Sequence, residues 1–182
     1  MHNWLQLFVD RTTTPIGELV LVADSDGRLR ATEWTEATHD RHGPDGMQRW
    51  LQRHYGVQVA LEPAENPGGL TNAIDAYFAG DLAAIDRLPV ETAGTTFQRA
   101  VWGALRSIPC GTTISYGELA RRIGRPSAVR AVGLANGSNP ISIVVPCHRV
   151  IGSNGTLTGY GGGLDRKRWL LKHEGGAPQL FP

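Results

Sequence analysis

The stretch Ser115-Tyr116-Gly117-Glu118-Leu119-Ala120-Arg121-Arg122-Ile123-Gly124-Arg125-Pro126-Ser127-Ala128-Val129-Arg130-Ala131-Val132-Gly133-Leu134-Ala135-Asn136-Gly137 carries two short helical signals around one turn. Ser115 and Glu118 have the S-x-x-E spacing of a capping box, which opens a helix over Glu118–Ile123. Gly124-Arg125-Pro126 reads as a turn. Ser127 is placed to cap a second helix that runs through Asn136 and closes at Gly137. Two short helices on a three-residue turn form a helix-turn-helix, or one pair in a larger bundle. The second helix presents small residues, Ala128, Ala131, Gly133, Ala135 and Gly137, with Arg130 among them. That pattern suits tight packing on a neighbouring helix. It equally suits close approach to a nucleic-acid backbone, with one long cation projecting.

Working outward, Phe97, Ala100, Val101, Ala104, Leu105 and Ile108 keep helical spacing until Pro109-Cys110-Gly111 stops the helix. The character of the chain changes near Thr92–Thr96, which divides it into residues 1–94 and 95–182. The first part alternates like strands. Leu5–Val9, Glu18–Ala23 and Arg28–Trp34 are apolar-rich runs, and Asp26-Gly27 between the last two is a hairpin signal. Residues 35–46 hold Gly43, Pro44 and Gly46 and read as a loop. Met47, Trp50, Leu51 and His54 fit one face of a short helix, and residues 57–61 another strand. Leu70, Ile74, Tyr77 and Phe78 mark a further helix ending at Gly80. The expected fold is α+β: an N-terminal α/β domain with a small antiparallel sheet, then a mainly helical C-terminal domain built on that helix pair.

A net charge of +1 hides an asymmetry. Residues 1–94 carry 7 basic and 14 acidic side chains, residues 95–182 carry 11 and 3. A basic half of this size points to a polyanion, with nucleic acid first among candidates. Two cysteines, Cys110 and Cys147, cannot build a disulfide framework or a cysteine-rich zinc site. His2, His39, His42 and His54 lie in unlike contexts and read as solvated surface side chains, so no metal is expected. No apolar run approaches a membrane span, and the N-terminus lacks the pattern of a signal peptide. The expected address is the cytoplasm.

The chemistry concentrates after Asn139-Pro140. Ile141–Val145 reads as a buried strand delivering Pro146-Cys147-His148-Arg149-Val150. Neighbouring cations favour a thiolate, so Cys147 is a candidate nucleophile. It is also what a small buried hydrophobe would look like, the commonest fate of an unpaired cysteine. Adjacent side chains point different ways, so His148 would reach the thiol through a water and would itself need a carboxylate to fix its tautomer. The carboxylates of this half are Glu118, Asp165 and Glu174. Asp165 opens the last helix, Leu164–Lys172, where a capping role explains it. Glu174 ends that helix, where a negative charge opposes the dipole. Pairing with His148 would explain the placement; so would a solvated last turn.

The block Pro146-Cys147-His148-Arg149-Val150 resembles the active-site signature of the O6-alkylguanine-DNA alkyltransferases, the methylated-DNA–protein-cysteine methyltransferases. Ile108-Pro109-x-Gly111, Ser115-Tyr116-Gly117-Glu118-Leu119-Ala120, Arg130-Ala131-Val132-Gly133, Asn139-Pro140, Tyr160-Gly161-Gly162-Gly163-Leu164 and Leu170-Leu171-x-x-Glu174 resemble further family blocks in order and spacing. The resemblance covers about residues 95–176 strongly and implies a winged-helix-like helix-turn-helix for the C-terminal domain. It implies Cys147 as alkyl acceptor, His148 as base through a water, and Glu174 as the group orienting His148. It implies a hydrogen bond from Tyr116 to a flipped guanine, and support of the cysteine turn and of the link between the domains by Asn139. Arg130 would fill the gap in the base stack, and Ser127, Ala128, Ala131 and Gly133 would face the minor groove. Val150, Tyr160, Gly161 and Gly162 would line the pocket. It implies one-step, irreversible transfer from alkylated guanine in duplex DNA, once per molecule, by a monomer with no cofactor and no obligate protein partner.

The chain departs from the family in two ways. Some members bind zinc through N-terminal cysteines and histidines, and here no cysteine precedes Cys110. Cys110 stands where the family often has a larger residue, and reads as structural. Two other function classes fit parts of this pattern. A non-catalytic alkyltransferase-like protein lacks the acceptor cysteine, which is present here. A cysteine hydrolase would need an oxyanion hole and turnover, which a basic helix-turn-helix domain does not suggest.

Overall fold

The computed structural model describes residues 4–36 and 43–175. The chain divides into two compact units, Met1–Gly94 and Thr95–Pro182.

In the first unit, β1 (Trp4–Thr14) and β2 (Gly17–Asp24) form a hairpin that pairs Thr14 with Gly17, and β3 (Leu29–Trp34) continues it antiparallel on β2. After α1 (Gly43–Tyr55), β4 (Gln58–Pro63) returns beside β1 in parallel, giving the order β3-β2-β1-β4. The sheet expected to be antiparallel is therefore mixed. The reason is the connection: parallel neighbours need a crossover, and α1 supplies it. Leu7, Val20, Val22, Ala31 and Val59 of the sheet close on Met47 and Leu51 of α1. Helix α1 starts inside the segment read as a loop, at Gly43, and residues 37–42 of that segment lie outside the described residues, as do His2, His39 and His42. His54 is not a solvated side chain: its ring stacks on Trp50 with centroids 4.9 Å apart. Helix α2 (Leu70–Phe78) buries Leu70, Ile74 and Tyr77.

The second unit opens with α3 (Thr96–Arg106). Thr95 and Gln98 form a reciprocal capping box at its start. Next come β5 (Ile114–Ser115), α4 (Tyr116–Arg122) and α5 (Val129–Gly137). The Ser115 side chain accepts from the Glu118 N–H, while the Glu118 carboxylate binds Arg121 and Arg122. Ser127 does not cap α5. A turn closed by the Ala128 N–H on Arg125 O (2.9 Å) holds Ser127 outside the helix, and Ala128 takes the N-cap position with no side-chain cap. Helix α5 is seated on α3 by Trp102, whose Nε1 donates to Ala135 O at 2.8 Å.

Ile141–Val145 is not a strand. It is a buried succession of turns, with Ile143 at φ 73°, a region that a β-branched residue occupies only under strain. An apolar run has the same appearance in either conformation, and Asn139 decides between them. Its Oδ1 accepts from the Ile141 N–H at 3.0 Å, and its Nδ2 donates to Ile141 O (3.3 Å) and Val145 O (2.7 Å). One amide thus takes up backbone groups that a strand would have used in a ladder. The chain then makes one 3-10 turn at Cys147–Arg149, pairs β6 (Val150–Ile151) in parallel with β5, and ends its described part with α6 (Leu164–His173) and the two residues beyond it.

Trp102→Phe should lower stability by about 1–3 kcal/mol, from the lost indole hydrogen bond and the smaller ring in a buried site. Urea unfolding of the two proteins checks this; an unchanged midpoint would remove Trp102 as the anchor of α5.

Candidate active site

Helix α6 turns one stripe inward. Lys167, Leu170, Leu171 and Glu174 stand at i, i+3, i+4 and i+7, and all four are buried. A cation and a carboxylate therefore sit at the two ends of a face whose middle is leucine.

Glu174 caps the helix at its C-terminal end. Its Oε1 lies 2.9 Å from His148 Nε2 and accepts from Arg149 Nη2 at 2.8 Å, and its Oε2 accepts from Arg149 Nε at 2.9 Å. Burial would push the carboxyl up, but the His148 and Arg149 contacts outweigh it and hold the group well below the usual carboxylate range. Arg149 also donates from Nη1 to Ile108 O at 2.6 Å. Gly111 closes the other side. A Cβ there would stand 2.7 Å from Glu174 O, and the residue has φ 76°, so only glycine lets the turn after α3 touch the end of α6.

This pairing sets the state of His148. An ionised carboxylate only accepts, so Nε2 carries the proton and Nδ1 presents its lone pair. Burial also pulls the imidazole below its ordinary value, against the Glu174 contact, which keeps it neutral near neutral pH. Nδ1 is buried and has no hydrogen-bond partner among the described residues. The result is a neutral base of defined tautomer, with its accepting nitrogen unused by the protein.

Cys147 is buried at the start of the 3-10 turn. The expectation that adjacent cations lower its pKa does not hold. Burial pushes the thiol up, and Arg149 is spent on Glu174 and Ile108 O. What pulls back is the Asn139 side chain, then the charge of Lys167, then the backbone N–H groups of Cys147 and His148. The thiol is a protonated, shielded group until something removes the proton.

The remaining expected residues lie on α4, α5 and the segment before α6. Tyr116 opens α4, its ring lies against Gly133, and its hydroxyl accepts from Thr158 Oγ1 at 3.5 Å. Arg130, Ala131 and Ser127 are exposed and Ala128 and Gly133 half-buried. Arg130 makes no ion pair with the described residues. Val150 and Gly162 are buried, Tyr160 half-buried and Gly161 exposed. Asp165 is not a cap. It is exposed and pairs with Arg168 at 2.8 Å. Neither cysteine is in a disulfide, and Cys110 is half-buried in the turn after α3. Among the described residues no group of three or more His, Cys, Asp or Glu is placed to hold a metal ion.

Sequence reasoning missed three residues. Arg149 reads in sequence as a cation beside the thiol and is the second grip on Glu174. Gly111 reads as a helix stop and is the contact under Glu174. Lys167 carries a signal in the i, i+3, i+4, i+7 spacing that ends at Glu174 and puts it on the buried face. Its Nζ donates to Val150 O at 2.6 Å and to Thr158 O at 2.7 Å.

An α+β chain with a buried cysteine beside a histidine–carboxylate pair, and basic helices in the same unit, is a narrow class. The 6-O-methylguanine DNA methyltransferase DNA-binding domain matches residues 96–176. The methylated-DNA–protein-cysteine methyltransferase of Salmonella typhimurium is 56% identical over 172 residues, covering 94% of this chain and 97% of that protein. The crystal structure of the Mycobacterium tuberculosis O6-methylguanine methyltransferase superposes with a TM-score of 0.73 at 41% identity, over 97% of this chain and 99% of that one. The structure of the same organism's protein in complex with DNA gives 0.71 at 40% identity, over 98% and 100%. The chain belongs to the methylated-DNA–protein-cysteine methyltransferase family.

Because the folded-state pKa of Glu174 is depressed, its contribution to stability is fully present above its ordinary value of 4.5 and drains as pH falls below that. Glu174→Gln should cost about 3–5 kcal/mol near neutral pH by leaving Arg149 buried without its anion. It should also flatten the acid limb. Urea midpoints measured from about pH 6 to about pH 3 should fall less in the variant; parallel curves would refute the assignment.

Proposed function

We propose that this protein repairs DNA by direct reversal, moving an alkyl group from O6 of a guanine in duplex DNA to Cys147. The observation that carries this is the buried His148, held by Glu174 in a single neutral tautomer with Nδ1 unused, next to a cysteine that has no other reason to be beside a base. Family membership supports the same reading.

The lesion sits inside the base stack, so the nucleotide must be extruded, at a cost of a few kcal/mol. Helix α5 is suited to this from the minor groove. Ser127, Ala128, Ala131 and Gly133 allow close approach, and the exposed Arg130 fills the vacated place with its planar guanidinium. Tyr116 donates a hydrogen bond to the flipped guanine, and Val150 with Tyr160, Gly161 and Gly162 lines its pocket. His148 Nδ1 takes the thiol proton through one water. Cys147 Sγ then attacks the alkyl carbon in line: the S–C bond forms, the C–O6 bond breaks, and its electron pair stays on the guanine. The base regains its 6-oxo form, and a proton taken up balances the one given to His148. Asn139 holds the cysteine turn and lowers the cost of the thiolate. The product is a thioether with no leaving group, so each molecule acts once.

In this reading residues 95–182 bind DNA and react, and residues 1–94 support them. The partner is double-stranded DNA bearing alkylated guanine, the protein acts as a monomer without a cofactor, and its place is the cytoplasm. No helix among the described residues is long and apolar enough to cross a membrane.

Incubation with duplex DNA containing O6-methylguanine should add one methylene to the intact mass, and Cys147→Ser should abolish the gain. Tight binding with no change in mass would refute alkyl transfer. Arg130→Ala should slow repair of duplex DNA by about 10-fold or more while leaving reaction with free O6-benzylguanine nearly intact, since only the duplex needs its stack refilled. Equal losses on both substrates would remove Arg130 from that role.

A further inference from the structure

The other buried cations each meet a carboxylate: Arg149 has Glu174, and Arg30 has Asp24. Lys167 does not. Its side chain is fully buried, its two hydrogen-bond acceptors are the neutral carbonyls of Val150 and Thr158, and it makes no ion pair with a carboxylate among the described residues. Removing an ammonium from water costs several kcal/mol, and a methionine would pack in its place without that cost. The carbonyls it holds show where the charge is directed. The Val150 N–H donates to Cys147 O, closing the turn that carries the thiol. Thr158 contacts the Tyr116 hydroxyl. Lys167 thus ties the thiol's turn to the segment facing Tyr116. Of the titratable and charged groups, Cys147 and His148 on that turn feel its charge, Tyr116 lies beyond Thr158, and Glu174 and Arg149, which neutralise each other, stand on the far side of His148.

We propose that Lys167 is a positioning residue whose ammonium is the charge partner of the Cys147 thiolate. This rests on the alkyl-transfer reading. When His148 takes the proton, the negative charge appears in a site already holding an uncompensated positive one, so the pair is formed rather than a lone ion. Burial brings Lys167 down to about 8, so it is mostly charged near neutral pH and begins to lose that charge just above. Alkylation turns the sulfur into a neutral thioether and leaves the ammonium without a counter-charge.

The test uses the full chain with Cys110→Ser, so that Cys147 is the sole thiol. Thiolate absorbance near 240 nm is followed against pH with Lys167 and with Lys167→Met. The thiol midpoint should rise by about one pH unit or more in the variant, roughly tenfold less thiolate at neutral pH. Transfer from O6-methylguanine duplex should slow to match, with DNA affinity kept. A lysine that only packs the fold would slow transfer at every pH without moving the thiol midpoint, and that outcome overturns the proposal. Should Lys167→Met not fold, the Lys167 midpoint is read by 13C NMR in the native protein and in Cys147→Ser. It should fall in the variant, and an unchanged midpoint also overturns the proposal. A wild-type protein that gains no methyl group would instead sink the alkyl-transfer reading, whatever the thiol titration shows.

Discussion

The Glu174 carboxylate, taken out of water and gripped by His148 and Arg149, is the interaction on which the reactive unit depends. A buried ion pair contributes little net stability, but breaking one is costly, so the three side chains and the segments that carry them come as a set. The grip reaches α3 through the bond from Arg149 to Ile108 O, and the turn after α3 through Gly111 against the Glu174 carbonyl. It also explains a carboxylate at a helix C-terminus, where the dipole disfavours it. Two charge-assisted contacts outweigh the repulsion, and the tautomer of His148 follows from them.

Seen along its axis, α6 carries opposite charges on one buried face, Lys167 near its start and Glu174 at its end, with Leu170 and Leu171 between. Glu174 meets the turn at Cys147–Arg149, and Lys167 meets Val150, which follows it. The anion fixes the His148 imidazole, and the cation holds the carbonyl next to the turn that carries Cys147. In the proposed reaction a proton leaving the sulfur for the imidazole moves toward the end with the carboxylate and leaves negative charge near the end with the ammonium. Both displacements follow the field already present, and the dipoles need little reorganisation when the charge appears.

Much of this was legible in the sequence, and the failures have physical causes. The α4–α5 pair could be read because capping and turn residues act locally: Ser115 and Gly124 state their roles within a few positions, although Gly137 stays in α5 and Ser138 caps it. Glu174 could be singled out because its place on the helix was electrostatically wrong. The segment 141–145 could not be read correctly. Apolar burial is common to strands and to packed turns, and the distinction lay in one amide side chain, Asn139, replacing a ladder. The parallel β4 was hidden for a related reason, since strand direction depends on where α1 carries the chain. Ser127 had the right chemistry one position too early, since Ala128 takes the N-cap. Lys167 lay in plain spacing with Glu174, and was overlooked because a lysine is assumed to seek water. The acidic and basic halves kept their contrast, but Arg149 and Lys167 are interior charges and add nothing to a DNA-facing surface.

The burial of Cys147 bears on how such a molecule survives before use. A reagent good for a single reaction loses its whole value to any stray encounter. Oxidants and small electrophiles select cysteines that are exposed and already ionised. Cys147 is neither, because burial keeps it protonated, and in the proposed reaction the route to its proton runs through an equally buried imidazole. The features that make the thiol look inert in isolation thus act as its safety catch. They hold the reactive form back until a base delivered into the site makes the one exchange the protein can perform.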